Sequence, residues 1–276
     1  MTTCICCGGA QSQRAFVKSG FEIRRCTACG LGRTVLAADF DPARYYDESY
    51  FQGGAADGYA DYQGSADTLR MEFRHTLSDV LPFFHGGRLL EFGCAYGYFL
   101  EEARAHFTSV HGIEYAEAAA QACRIRGLDV VSGVVTESSL DGLYDAIVGL
   151  DVIEHVPEPD DTVRTLARHM RPGAALVMTT GDWDSWLARA TGARWRLMTP
   201  PQHLSFFTPA AMRTMLQRAG LEVVSLTHPW KRVPASLIAY QLQRMIGLTP
   251  RPLAGLRRFA LPVNLWDAMR VIAVKR

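Results

Sequence analysis

From Gly86 onward, short apolar runs alternate with stretches whose apolar residues recur at helical spacing, the alternation that builds a mainly parallel sheet covered on both faces. Gly86-Gly87 introduces the strand candidate 88–92, and a glycine turn then leads to a helix from about Tyr98. Further strands are expected at 110–114, 129–131, 144–150 and 174–180, the last after a turn at Arg171-Pro172-Gly173. An Ala-rich helix runs from Glu117 to Arg126, where Gly127 stops it, and another from about Pro159 to Met170. Thr208-Pro209 is an N-cap followed by proline in the first turn, with Met212, Met215, Leu216 and Ala219 on one face. The strand 221–226 follows, then some 40 mostly helical, Pro-punctuated residues, then a last strand at 268–275. The fold class is therefore α/β, doubly wound. Ahead of this lie residues 1–33, rich in cysteine, and 34–84, a Tyr-rich connection with a helix near 65–81.

Composition changes this picture little. With 276 residues, 48% of them hydrophobic and 21% charged, the chain is an ordinary globule of one or two domains. No uncharged apolar run approaches a membrane span, and the start Met1-Thr2-Thr3-Cys4 lacks the marks of a secretory signal, so a cytoplasmic enzyme is expected. Charge is uneven. Residues 228–276 hold nine Lys or Arg against Asp267 alone, which leaves −7 on the other 227. That basic segment suits an acceptor carrying negative charge.

Five of the seven cysteines fall in the first 29 residues, and Cys4-x-x-Cys7 and Cys26-x-x-Cys29 form two knuckles separated by 18 residues. Four soft ligands at that spacing predict tetrahedral structural zinc, with no open position for chemistry. Cys6 is a surplus thiol.

Glu91-Phe92-Gly93-Cys94-Ala95-Tyr96-Gly97 sits between a strand and a helix, where a glycine turn lets backbone amides approach a ligand. Glu114 ends the next strand, at a position suited to ribose hydroxyls. With Gly112-Ile113-Glu114, the stretch Tyr144 to Val156, Arg171-Pro172-Gly173, Pro201-Gln202-His203-Leu204-Ser205-Phe206-Phe207 and Ala219-Gly220-Leu221-Glu222-Val223, the sequence resembles the class I S-adenosylmethionine-dependent methyltransferases. It is nearest the small-molecule branch with the ubiquinone-pathway O-methyltransferase type. The match covers 86–276, and the cysteine module matches an N-terminal extension found in part of that branch.

That resemblance implies a Rossmann-like sheet of seven strands with an antiparallel last strand, occupying 85–276 with a substrate-side insertion at 227–267. It places Glu91, Gly93, Cys94, Ala95 and Gly97 at the methionine end of the cofactor, Glu114 at its ribose, Tyr115, Val134 and Val135 at its adenine, and Asp151 beside it. The chain departs from the family at Ala95, where a glycine is usual, and at Val134, where an acid is common. Alanine is tolerated if its backbone angle is ordinary.

Methyl transfer needs aligned reactants and, for a hydroxyl acceptor, a base, so His203 and then His155 are the catalytic candidates. Asp151, Glu154 and His155 could instead gather a divalent cation. Tyr46 and Tyr50 would form an aromatic lid, and Trp183, Trp195 and Arg196 would line an acceptor pocket. The expected reaction is methylation of a hydroxyl on a sugar, nucleotide-linked sugar or natural-product scaffold. Carbon methylation, ribosomal RNA base methylation and non-catalytic binding are the alternatives. The acidic body and the Leu150-Asp151-Val152-Ile153 strand end argue against nucleic acid.

Overall fold

A computed structural model describes residues 3–37, 40, 62–245, 251, 253–256 and 259–276. Tyr46 and Tyr50 lie outside the described residues.

The alternation produces the expected sheet. Seven strands stand in the order β10-β13-β8-β7-β4-β5-β6. They are β4 (Arg88–Phe92), β5 (Ser109–Glu114), β6 (Asp129–Ser132), β7 (Tyr144–Leu150), β8 (Met170–Gly181), β10 (Leu221–Thr227) and β13 (Ala268–Lys275). Neighbours from β6 to β8 are parallel, and β13 runs antiparallel to both β8 and β10.

Alternation within each strand feeds two cores. Leu90, Phe92, Ile147, Leu176 and Met178 face helices α4 (Pro159–Arg168) and α6 (Pro209–Arg218). Leu89, Ala146, Val148 and Val177 face α1 (Ala66–Val80), α2 (Tyr98–Ala103) and α3 (Glu117–Ile125). Both faces are thereby kept dry, which is why the central strands are almost continuously apolar.

Two local expectations need correction. Arg171-Pro172-Gly173 does not precede β8 but lies inside it as a bulge: β7 advances from Tyr144 to Ala146 while β8 advances from Met170 to Ala175, and Gly173 takes φ +82°. The 227–267 insertion is also less helical than its composition suggests. Strands β11 (Lys231–Pro234) and β12 (Ala260–Val263) pair antiparallel around α7 (Ala235–Met245), and a two-stranded ribbon tolerates prolines because each strand has an outer edge.

The cysteine segment, for which the sequence set no elements, is a sheet. β1 (Ser12–Lys18) and β2 (Phe21–Cys26) form a hairpin across Ser19-Gly20, both at positive φ, and β3 (Gly32–Thr34) pairs with β2 and with β9 (Ser205–Phe206) of the main domain. Cys6 and Leu31 are buried in the same core as Phe92.

Candidate functional site

At the end of β4 the chain turns through Gly93 and Gly97, both at φ +70°. A side chain at either would collide, at 2.4 Å from Val152 Cγ2 and 2.5 Å from Leu128 Cδ1 respectively, so these glycines are required by packing as well as by angle. Ala95 between them has φ +46°. The condition set for tolerating Ala95, an ordinary backbone angle, is therefore not met: alanine is held in the left-handed region.

What holds it is Glu114. Its Oε2 accepts from the Ala95 amide at 2.7 Å and its Oε1 from the Ala116 amide at 2.8 Å. Burial raises its pKa and the amide bonds oppose that. Each carboxylate oxygen has a second lone pair, so bracing the loop is compatible with accepting ribose hydroxyls.

Glu91 is buried behind the turn, and its Oε2 has no hydrogen-bond partner. Burial pushes its pKa well above the usual range, and Cys123 and Glu114 add to the effect. Tyr115 and Val134 are exposed at the rim, linked through the Gly133 amide to the Glu114 carbonyl at 2.8 Å, and Val135 packs on the core edge. A buried carboxyl without a donor, a hydroxyl-accepting Glu114 and exposed apolar side chains beyond it fit the ammonium, ribose and adenine of S-adenosylmethionine. Cys94 contributes no side chain, because its thiol is buried toward Cys123, which itself bonds the Ala95 carbonyl at 3.3 Å.

A second group of side chains gathers at the carboxyl end of β7. Asp151 has φ +52°. Its amide donates to the Thr179 hydroxyl at 2.9 Å, that hydroxyl lies 2.8 Å from Asp151 Oδ1, and Lys231 Nζ donates to Oδ2. Burial favours the neutral acid, but Lys231 and Thr179 outweigh it and hold the Asp151 carboxyl low.

The chain next makes one 3-10 turn, Ile153–His155, which meets the segment carrying His203. Leu204 donates its amide to the Glu154 carbonyl at 2.8 Å. Both imidazoles are oriented from behind. His203 Nδ1 donates to the Leu197 carbonyl at 2.7 Å and His155 Nδ1 to the Gln202 carbonyl at 3.0 Å. A carbonyl can only accept, so Nδ1 carries the proton and Nε2 is the basic nitrogen of each neutral ring. The rings meet edge to face, 4.7 Å between centroids. One nitrogen of each and a Glu154 carboxylate oxygen lie within 4.8 Å of one another. Glu154 is buried, its Oε2 lacks a hydrogen-bond partner, and burial lifts its pKa to about 7, with His203 drawing it down and Asp151 pushing it up.

The four knuckle cysteines converge as their spacing predicts. Cys4 and Cys29 Sγ are 3.6 Å apart, as are those of Cys7 and Cys26, all four sulfurs lie within 4.8 Å of one another, and the Gly9 amide points at Cys7 Sγ from 3.4 Å. The donor set and its compactness fit a tetrahedral zinc.

The acceptor-pocket expectations fare differently. Trp183 and Trp195 are buried core side chains, so neither offers a face to an acceptor. Trp183 packs under Arg25 and against Phe16 and Phe206. Trp195 Nε1 donates to Asp267 Oδ2 at 2.9 Å, and Arg196 grips the same carboxylate in two bonds of 2.9 and 2.8 Å, so its charge is already matched. The sequence reading passed over Lys231, which reaches Asp151 from the insertion, and the pairing of Asp182 with His228 at 2.8 Å. Residues 46 and 80 positions from their partners leave no mark in spacing; the basic composition of 228–276 was the only hint.

A methyltransferase domain family model matches residues 65–226. The chain is similar to the ubiquinone biosynthesis O-methyltransferase of Marinobacter nauticus, at 31% identity over 160 residues, 51% of this chain and 66% of that one. It is also similar to the enzyme of that name from Bordetella avium, at 29% over 170 residues, 56% of this chain and 68% of the other. The chain thus spans about two thirds of the length of these relatives. Among solved structures, magnesium protoporphyrin IX methyltransferase of Synechocystis PCC 6803 aligns with TM-score 0.53 and 13% identity, covering 84% of this chain and 97% of that one. At that identity the likeness shows the fold.

Proposed function

The chain belongs to the S-adenosylmethionine-dependent methyltransferases of the methyltransferase domain family, and from that premise we propose that its acceptor is a hydroxyl of a small molecule, on a sugar, nucleotide-linked sugar or natural-product scaffold. The observation that carries the oxygen acceptor is the pair of imidazoles beside buried Glu154 where the sheet's strands end, each with Nδ1 bonded to a carbonyl and Nε2 therefore its basic nitrogen. The O-methyltransferase names of the similar proteins support it.

Bound S-adenosylmethionine supplies an electrophilic methyl group. This chain's task is to align and deprotonate. Glu91 would meet the ammonium, the loop from Gly93 to Gly97 would lie along the methionine, Glu114 would accept from the ribose, and Tyr115, Val134 and Val135 would flank the adenine. His203 takes the acceptor's proton on Nε2. The Leu197 carbonyl fixes its ring, and Glu154 steadies the imidazolium that forms. His155 is the second base, and Asp151, fixed by Thr179 and Lys231, borders the cleft. The four cysteines would hold structural zinc.

A second reading has its own support: two imidazoles and the partnerless Glu154 Oε2 also suit a divalent cation, now on Glu154, His155 and His203 and not on Asp151. It would acidify the hydroxyl directly.

Calorimetry with S-adenosylmethionine tests the donor site, and methyl-transfer profiling on metabolite extracts, with NMR location of the new methyl, tests the acceptor. His203→Ala is expected to lower turnover by about 10²- to 10⁴-fold while cofactor affinity is unchanged. Methyl found on carbon, or full turnover by the variant, overturns this assignment. Elemental analysis and restoration of activity in chelated protein by added Mn²⁺ decide for the cation.

A further inference from the structure

From His228 to Trp266 the chain carries six Lys or Arg and no Asp or Glu, so the remainder of a chain of net charge +1 sums to −5. The two-stranded ribbon β11–β12 lies within this segment. Its ends and edges expose large apolar groups: Trp230 (56%), Phe259 (61%), Leu261 (48%), Leu265 (40%) and Trp266 (55%). Trp230, Leu265 and Trp266 cluster at one end, where Asn264 ties the strands by donating to the His228 carbonyl at 2.9 Å and accepting from the Trp266 amide at 2.8 Å. Phe259 marks the other end, its carbonyl accepting from the Ala235 amide at 2.8 Å. Helix α7, which follows β11 directly, has in its sequence a single charge, Arg244. One exposed apolar side chain is ordinary; this many along a four-residue ribbon form a patch that calls for a partner.

We propose that the β11–β12 ribbon is a docking surface for a membrane bearing anionic phospholipid headgroups. Indole rings favour the boundary between headgroup and acyl chain, with an apolar body on one side and an N–H on the other. Cations unaccompanied by any acid on the same segment match a uniformly anionic surface. Leu261 and Leu265 decide against nucleic acid, since an aliphatic side chain gives a base nothing to stack on, whereas it gains from contact with acyl chains. Among the described residues no helix is long and apolar enough to cross a bilayer, so the contact is one that lies on the surface. Lys231 of this ribbon reaches Asp151, so docking brings the carboxyl edge of the main sheet toward the headgroups. The proposal does not depend on the nature of the acceptor.

The test is sedimentation of the intact zinc-loaded protein with vesicles of phosphatidylcholine alone or mixed in equal parts with phosphatidylglycerol. Partition into the anionic vesicles is expected to exceed that into neutral ones by about tenfold or more and to weaken with salt. Trp230→Ser combined with Trp266→Ser should reduce it by about tenfold or more with melting temperature and cofactor affinity unchanged. Equal partition into both vesicles, or undiminished binding by the double variant, overturns the proposal. Salt-sensitive retention on single-stranded RNA, or self-association lost in the double variant, overturns it too if the vesicles leave the protein in the supernatant.

Discussion

Ala95 and Glu154 are held in states that a free residue avoids, the one open to substitution and the other to titration. Ala95 sits at φ +46° because Glu114 draws its amide inward. A left-handed alanine costs about 1 kcal/mol, and glycine's larger unfolded-state entropy returns part of that. Ala95→Gly should therefore stabilise the fold by a few tenths to about 1 kcal/mol in urea unfolding; a loss of stability would mean that the methyl packs usefully against the loop. Glu154 is the other case. Its pKa is raised from 4.5 to about 7 by burial, so the folded state binds its proton more tightly than the unfolded state does. Its contribution is complete below about pH 4.5 and is lost as pH rises through about 7. Relative to Glu154→Gln, the wild type should lose up to about 3 kcal/mol across that window, measured by denaturant unfolding at a series of pH values; parallel curves would place the carboxyl in water. Neither state was visible in the sequence, which marks a residue's type and spacing but not the angle or the burial imposed on it from elsewhere in the fold.

The elements were legible where hydrophobic period and turn chemistry agree. Strand β13 begins and ends where its apolar run does, and Thr208-Pro209 starts α6 as its capping chemistry requires. β1, β2, β3 and β9 were not legible. The first three carry a high proportion of polar and cysteine residues, and β9 is two residues long, so pairing across 172 positions, from Arg33 to Ser205, decides the conformation of β3 and β9. Thr208 shows how tightly the two regions are joined. Its hydroxyl accepts from the Ala211 amide at 3.1 Å as helix cap and donates to the Cys29 carbonyl at 2.9 Å, with no exposure to solvent. Losing the cap costs about 1 kcal/mol, and leaving a buried carbonyl unpaired costs about 1–3 kcal/mol more. Thr208→Ala should thus destabilise by about 2–4 kcal/mol in thermal or urea unfolding, while Thr208→Ser restores most of it. An alanine variant within a few tenths of wild type would show that the two bonds are made to water as readily.

At the scale of the whole molecule, the cysteine sheet braces the segment of the main domain that carries His203, the proposed base. β3 pairs with β9, Thr34 donates its amide to the Leu204 carbonyl at 3.0 Å and its hydroxyl to the His203 carbonyl at 2.8 Å, and Arg33 bonds Ser205 Oγ at 2.8 Å. The backbone on either side of His203 is therefore fixed by a strand that follows shortly after Cys29, one of the four clustered cysteines. The donor loop depends on other elements: it hangs from β4 and β5 through the Gly93 amide, the Ile113 carbonyl and Glu114. Metal removal should separate these two functions. Stripping zinc with a chelator, or replacing Cys26 and Cys29 by serine, releases β3 and with it the segment that orients His203, whereas the loop from Gly93 to Gly97 keeps its contacts. The expected result is a fall in turnover of about tenfold or more, the scale on which a misplaced base acts. S-adenosylmethionine affinity by calorimetry should change by less than about threefold, about 0.6 kcal/mol, and added zinc should restore the chelated protein. Equal loss of binding and turnover would mean that the sheet supports the whole fold, and unchanged turnover would mean that His203 is positioned by the main domain alone.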